Sequence, residues 1–127
     1  MANKFHNPKT VALAGKYALG CEVPAGSRLL FVSGQVGLDG GGKLAEGIEA
    51  QCEQVWKNIG EVLKSSGMDY ADIVKMTTFL TDSRFIVTNR AVRDKYFKEP
   101  YTASTLLIVQ GLADPAMLVE IEVTAAK

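Results

Sequence analysis

The stretch that decides the fold is Leu118-Val119-Glu120-Ile121-Glu122-Val123, close to the C-terminal end of the sequence. Apolar and acidic residues alternate through it. Successive side chains of a β-strand point to opposite faces, so this alternation predicts a strand with one apolar and one acidic face. We expect the two valines and the isoleucine to face the core. Glu120 and Glu122 are expected to face the other way.

Working outward from this strand, the rest of the chain predicts the element order β-β-α-β-α-β-β. The predicted strands are residues 17–21, 28–34, 73–81, 103–109 and 117–124. A glycine-rich loop at 37–47 precedes the first helix, whose apolar residues recur at helical spacing. That stripe consists of Cys52, Val55, Trp56, Ile59, Val62 and Leu63. Asp82 or Ser83 can cap a second helix that runs to about Phe97 and must stop before Pro100.

Both predicted helices have one apolar face, which favours an α/β (α+β) fold with a mixed sheet covered by helices on one face. The other face of the sheet would then be uncovered in a monomer, although several residues expected there are apolar. The candidates are Val32, Met76, Thr78, Leu107 and Val109. An uncovered apolar sheet face indicates a subunit interface, so we expect an oligomer.

Length and composition narrow the class of protein. The 127 residues predict a single domain, 1–127, and 47% of them are hydrophobic, which is typical of a globular protein. Lys plus Arg equals Asp plus Glu at 14 each, and this zero formal charge argues against a nucleic-acid binder, because such proteins usually have a basic stripe. No apolar run is long enough to span a membrane, and no signal region is evident at the N-terminus. We therefore expect a cytoplasmic protein with no nucleic-acid or membrane partner, and we interpret its two cysteines as thiols.

Few residues carry a chemical signal by themselves. Partial burial of Glu120 or Glu122 would raise its pKa and make it a usable proton carrier, but outward carboxylates are also ordinary on a half-exposed strand. Gly34, at the end of a buried strand, could allow a ligand to approach the backbone, or could mark a simple strand exit. No base adjoins Ser33 in sequence, so a serine nucleophile has no support. With one histidine and no CxxC motif, the sequence predicts no metal site.

Several segments, in a fixed order along the chain, resemble the RidA (YjgF) family of enamine/imine deaminases. The match begins near Tyr17 and covers nearly all of the chain after it. The residues that carry it are Phe31-Val32-Ser33-Gly34-Gln35, Gln51, Val55, Asn58, Val74-Lys75-Met76-Thr77-Thr78-Phe79-Leu80-Thr81-Asp82, Asn89, Tyr96-Phe97 and Leu118-Val119-Glu120-Ile121-Glu122.

The resemblance implies a chorismate-mutase-like fold and a homotrimer with three equivalent clefts between subunits. It implies hydrolysis of reactive enamines or imines to keto acids and ammonia, with no metal or organic cofactor. By the same resemblance, Glu120 is the catalytic residue that positions or activates water, whereas Glu122 is structural. The residues implied in substrate binding are Tyr17, Ser33, Asn89, Ala103 and Thr105.

The chain departs from the family pattern on the next-to-last strand, where the family has an arginine that holds the substrate carboxylate. Ala103 occupies that position and cannot form the bidentate pair. The sequence does not place the second-helix arginines, Arg84, Arg90 and Arg93, in the cleft. One hypothesis is therefore a RidA-like hydrolase that acts on a small reactive metabolite in clefts between subunits, by enamine/imine deamination or a related water addition. Its substrate need not carry the usual carboxylate. The alternative is a non-catalytic trimer of the same fold that binds small metabolites or regulates. A chaperone-like role has no specific support in the sequence.

Overall fold

The computed structural model describes residues 2–127, in which six strands and two α-helices follow one another. The strands are β1 Lys4–His6, β2 Gly20–Glu22, β3 Leu29–Gln35, β4 Ile73–Leu80, β5 Ala103–Ile108 and β6 Val119–Ala126. The helices are α1 Ile48–Ser65 and α2 Ile86–Arg93. Neither helix has the length and apolar character needed to cross a lipid bilayer.

The main sheet has four strands in the order β3-β6-β4-β5. β4 and β5 run parallel, whereas β6 is antiparallel to both of its neighbours. β1 and β2 form a separate antiparallel pair. The predicted mixed sheet is therefore confirmed, and β6, with the sequence that opened the argument, is one of its two central strands.

The core lies between α1 and one face of this sheet. Val55, Trp56 and Ile59 on α1 are fully buried, and they belong to the same apolar cluster as Val119 and Ile121 on β6. Glu49 lies in the first turn of α1, where a carboxylate interacts favourably with the helix dipole. The predicted apolar stripe and the predicted inward face of β6 are both confirmed.

The bounds of β3, β4, β5 and β6 differ from the predicted ones by one or two residues, and the larger differences are at the first strand and at both ends of the second helix. The first strand was expected at 17–21, but β2 begins at Gly20 and pairs with β1, which the sequence pattern missed. Asp82 caps a short 3₁₀ turn by accepting a hydrogen bond from the Arg84 amide, and α2 begins only after that turn. The second helix also ends before Phe97, and the following aromatic residues instead pack their rings against Trp56.

The sheet has the predicted uncovered face with exposed apolar residues, but three of the residues predicted for that face lie on the other one. Val32, Met76 and Thr78 are buried on the helix side, because strand register pairs them with inward-facing residues of β6. Val109 lies just beyond the end of β5. The large apolar residues exposed on the outer face are Leu29 (53%), Phe31 (74%) and Leu107 (47%), of which the sequence analysis named Leu107.

Candidate functional site

Glu120 lies on the outer face of β6. Its carboxylate occupies a space over the neighbouring strand β3, which we call the Glu120 seat. One extra residue of β3 lies between Val32 and Gln35, which is a β-bulge. Gly34 is in this bulge, and a Cβ atom built on it would lie 2.0 Å from Oε2 of Glu120 and 2.9 Å from its Cδ. The Glu120 carboxylate therefore occupies the space that any larger residue at position 34 would fill.

This seat gives the outer half-site, which we define as Ser33, Gly34 and Glu120. Ser33 is exposed beside the bulge, and Glu120 is half-buried. Glu122, two residues along the strand, is exposed. The Glu120 side chain thus lies against the sheet while remaining partly exposed. The sequence left open whether Gly34 allows a ligand to approach or marks a simple strand exit; in the structure the group close to its backbone is the Glu120 side chain.

Ala103 and Thr105 also lie on the outer face, but on the edge strand β5. Ala103 pairs with Lys75 of β4, and the Lys75 ammonium donates a hydrogen bond of 2.6 Å to the Thr105 hydroxyl. Thr105 lies across Thr77 from Glu122, so Glu120 is two strand spacings and two residues away from it, on the order of 12 Å. Thr105 and Glu120 are therefore not neighbours within one chain.

Tyr17 and Asn89 lie elsewhere, in a cavity of about 400 Å³ that we call the edge pocket. It opens between α2, the edge strand β5 and the loop that contains Tyr17. The Ala18 amide donates a hydrogen bond of 2.9 Å to the Thr102 carbonyl, which holds this loop against the start of β5. Ser104 and Thr78 add hydroxyl groups to the wall of the pocket.

Asn89 enters the edge pocket from the buried face of α2. Its side-chain oxygen accepts a weak hydrogen bond from the Cys52 thiol at 3.9 Å, whereas its amide nitrogen donates to no partner within residues 2–127. Tyr17 accepts a hydrogen bond of 3.3 Å from the Ala14 amide. The pocket therefore presents free hydrogen-bond donors to a ligand.

Charge in the edge pocket is predominantly positive. Within residues 2–127 its wall contains three cations, Lys16, Arg90 and Arg93, and one carboxylate, Asp94. Asp94 accepts hydrogen bonds from Arg93 at 3.0 Å and from Lys16 at 3.4 Å. Partial burial raises the pKa of Asp94, but the hydrogen bonds and charges of Arg93 and Lys16 outweigh this effect and hold it below its ordinary value. An anion entering the pocket would meet a net positive wall.

The structure therefore divides the predicted residues into two groups. Ser33, Glu120, Ala103 and Thr105 lie on the outer face of the sheet or at its end, whereas Tyr17 and Asn89 lie in the edge pocket on the helix side. The sequence analysis did not identify the cations nearest these residues. For Lys75 the available signal was strand alternation, which places it on the same face as Ala103.

Arg93 was also detectable, because it follows Asn89 by four residues on a helix and such residues share a face.

Within residues 2–127, no group of three or more His, Cys, Asp or Glu side chains is placed to hold a metal ion.

The sequence of this chain is similar to those of several known proteins. The family model described as Endoribonuclease L-PSP matches residues 9–127. A RutC family protein of Aquifex aeolicus is 33% identical over 98% of both chains. The chloroplastic Reactive Intermediate Deaminase A of Arabidopsis thaliana is 38% identical over 82% of this chain, which spans 55% of the length of that protein. The human 2-iminobutanoate/2-iminopropanoate deaminase is 33% identical over 77% of this chain and 72% of its own.

Solved structures agree with these sequence relatives. A Rid-family protein of Yersinia pestis, YyfB, superposes with a TM-score of 0.89 at 29% identity and covers the whole of both chains. RidA from an Antarctic Psychrobacter species has a TM-score of 0.74 at 31% identity over 95% of this chain and 96% of its own. Matching in sequence along nearly its whole length and in the arrangement of its sheet and helices, the chain belongs to the RidA (YjgF) family.

Proposed function

We propose that this protein is an enamine/imine deaminase whose active site forms where the outer half-site of one subunit meets the edge pocket of another. The observation that carries the proposal is the Glu120 carboxylate, which lies over Gly34 on a half-buried, partly exposed side chain. Relatives named 2-iminobutanoate/2-iminopropanoate deaminase support the reaction class.

The position of the two half-sites supports the need for a second subunit. Glu120 is on the outer face of the sheet, and Asn89 is on the helix side, so the sheet itself separates them within one chain. Two copies can bring them together if the outer face of one packs near the β5 edge of the next. The exposed Phe31 and Leu107 provide apolar surface for such a contact. A closed ring of three copies, as the family resemblance implies, would contain three identical clefts.

In the proposed mechanism, the substrate reacts as the protonated imine, and Glu120 takes a proton from a water molecule as the water oxygen attacks the carbon of the C=N bond, which gives a carbinolamine. Glu120 passes this proton to the amino nitrogen and then takes the proton of the carbinolamine hydroxyl as the C–N bond breaks, which leaves a C=O bond and releases ammonia. The proton that remains on Glu120 is given to the departing ammonia, so that the carboxylate is regenerated. An enamine enters the same route, because its protonation at carbon gives the protonated imine. Ser33, beside the carboxylate, and Tyr17 and Asn89, from the edge pocket, orient the substrate.

A coupled assay tests this proposal. An amino-acid oxidase generates 2-imino acids, semicarbazide traps them, and an active deaminase lowers the rate of semicarbazone formation. We expect the natural chain to lower that rate, Glu120→Gln to have no effect on it, and Glu122→Gln to behave as the natural chain. Glu122 is the matched control, because it is an exposed glutamate two residues away on the same face. Failure of the natural chain across neutral and acidic imines would reject the deaminase.

A second candidate is a trimer that binds a small metabolite without converting it. The observation in its favour is Ala103, a methyl group where the family pattern has an arginine. This candidate predicts that a ligand binds equally well to the natural chain and to Glu120→Gln, with no turnover by either. Turnover that the Glu120 substitution abolishes would eliminate it.

A further inference from the structure

The edge pocket contains an arginine that can take over the task of the one missing at position 103. Ser104 lines this pocket from the helix side of β5, whereas its neighbour Ala103 points to the outer face, and Arg93 lines the pocket from α2. The side chain of Arg93 is 13% exposed, against 82% for Arg84. Arg93 is thus a largely buried cation beside the strand from which the anchoring arginine is absent.

Arg93 has donors to spare for a ligand. Its Nε and Nη2 both point at one oxygen of Asp94, at 3.3 and 3.0 Å. A guanidinium has five N–H donors, so the remaining three are available. Asp94 also accepts a hydrogen bond from Lys16, which means that one carboxylate is shared between two cations. The pocket therefore retains positive charge after its internal ion pairs are formed.

Asn89 supplies a second group on the same helix face. It lies four residues before Arg93, one turn away, and its amide nitrogen has no partner within residues 2–127. A carboxylate placed between the two could accept from the guanidinium with one or both oxygens and from the Asn89 amide. Charge-assisted hydrogen bonds of this kind are about twice as strong as neutral ones.

We propose that Arg93, assisted by Asn89, binds the carboxylate of the substrate, so that the chain acts on small 2-imino or 2-enamino monocarboxylic acids despite Ala103. The proposal rests on the proposed function for the reaction and adds the group that selects the substrate. Lys75 is the competing cation. It lies next to Ala103 on the outer face, but its ammonium already donates a hydrogen bond to the Thr105 hydroxyl. An ammonium is also a point charge and cannot form the bidentate pair that a guanidinium forms with a carboxylate.

Binding of 2-oxobutanoate, the stable keto acid product of such a substrate, tests the anchor without turnover. Titration calorimetry or ligand-observed NMR on the full-length protein would give its Kd, with the methyl ester of the same acid as the uncharged probe. Arg93→Gln should raise the Kd of the acid about 10- to 100-fold, the range expected for a lost charge-assisted hydrogen bond, and should leave that of the ester unchanged. Arg93→Lys, which keeps the charge without the fork, should fall between.

Arg84→Gln is the matched control, because Arg84 is paired with Asp82 outside the pocket; it should leave both Kd values unchanged. Lys75→Gln is also expected to bind the acid normally. The proposal is overturned if the natural chain does not bind the acid, if Arg93→Gln and Arg93→Lys bind it as the natural chain does, or if Lys75→Gln is the variant that loses it.

Its failure is distinguishable from failure of the proposed function. Binding that depends on Arg93 without turnover of any imine would reject the deaminase and retain the anchor. Turnover whose KM for imino acids is unchanged in Arg93→Gln would retain the deaminase and reject the anchor.

Discussion

Substitution of Gly34 by alanine tests whether the Glu120 carboxylate has to remain in its seat. The added Cβ would lie 2.0 Å from Oε2, and ordinary van der Waals contact begins at 3.4 Å, so the oxygen must retreat by about 1.4 Å. The obstructing atoms belong to the end of a flexible side chain, and the backbone at Gly34 is not in the positive-φ region that favours glycine. We therefore expect the fold to tolerate the alanine, with a change in the free energy of unfolding of about 1 kcal/mol or less.

Catalysis should be far more sensitive than folding, because a displacement of about 1 Å at a reacting group can lower the rate on the order of 100-fold. The semicarbazone assay should show kcat/KM reduced by about that factor in Gly34→Ala. Gly40→Ala is the control, since a Cβ at Gly40 meets no atom within 4 Å. Urea unfolding of both variants would measure stability. Full activity in Gly34→Ala, alongside an inactive Glu120→Gln, would refute the argument that the seat fixes the carboxylate.

Three further predictions concern the subunit contact, a thiol and an ion pair. Phe31→Ser should weaken each subunit contact by about 1.5–3 kcal/mol, seen as dissociation on dilution in sedimentation velocity; an unchanged assembly would contradict an interface there. Burial, and secondarily the charge of Glu53, raises the pKa of Cys52 to about 12. Because Cys21 is a second, half-buried thiol, the test uses Cys21→Ser, in which Ellman's reagent at pH 8 should label Cys52 only after unfolding; rapid labelling of this variant in its native state would contradict this. Hydrogen bonds from Lys95 and Tyr96 lower the pKa of Glu53 below its ordinary 4.5. The natural chain should therefore be more stable than Glu53→Gln by a margin that is complete above pH 4.5 and is lost as the pH falls through the lower folded-state pKa. A pH-independent difference between their free energies of unfolding in urea would contradict this.

The fold was largely predictable because its strongest signals are local. Alternation along β6 and the helical stripe of α1 each report which side of a single element is buried, and both were read correctly. The prediction of which residues lie on the outer face was partly wrong for the opposite reason. A continuously apolar strand such as β3 does not reveal which of Val32 and Phe31 faces the helices, because that depends on register with another strand.

The site was less predictable, because its geometry depends on contacts distant in sequence. Gly34 and Glu120 are 86 positions apart, and only the bulge in β3 brings the glycine beneath the carboxylate. Likewise the edge pocket is assembled from Tyr17, Asn89 and Ser104, which no local pattern connects. The sequence could name these residues through the family resemblance, but it could not show that they form two separate groups.

That separation also gives the alanine at position 103 a physical context. In a cleft made from two faces, the group that activates water and the group that holds the substrate belong to different surfaces, so the second can change without disturbing the first. The position of Glu120 depends on Gly34 and the bulge of β3, where the three atoms nearest a Cβ built on Gly34 all belong to Glu120 itself. A cation displaced from β5 to Arg93 would alter where the substrate carboxylate rests while leaving the Glu120 seat intact. We therefore expect Ala103→Arg to change the order in which imino acids are preferred, and to change the rate on the preferred substrate less. Values of kcat/KM across a series of imino acids would measure both effects.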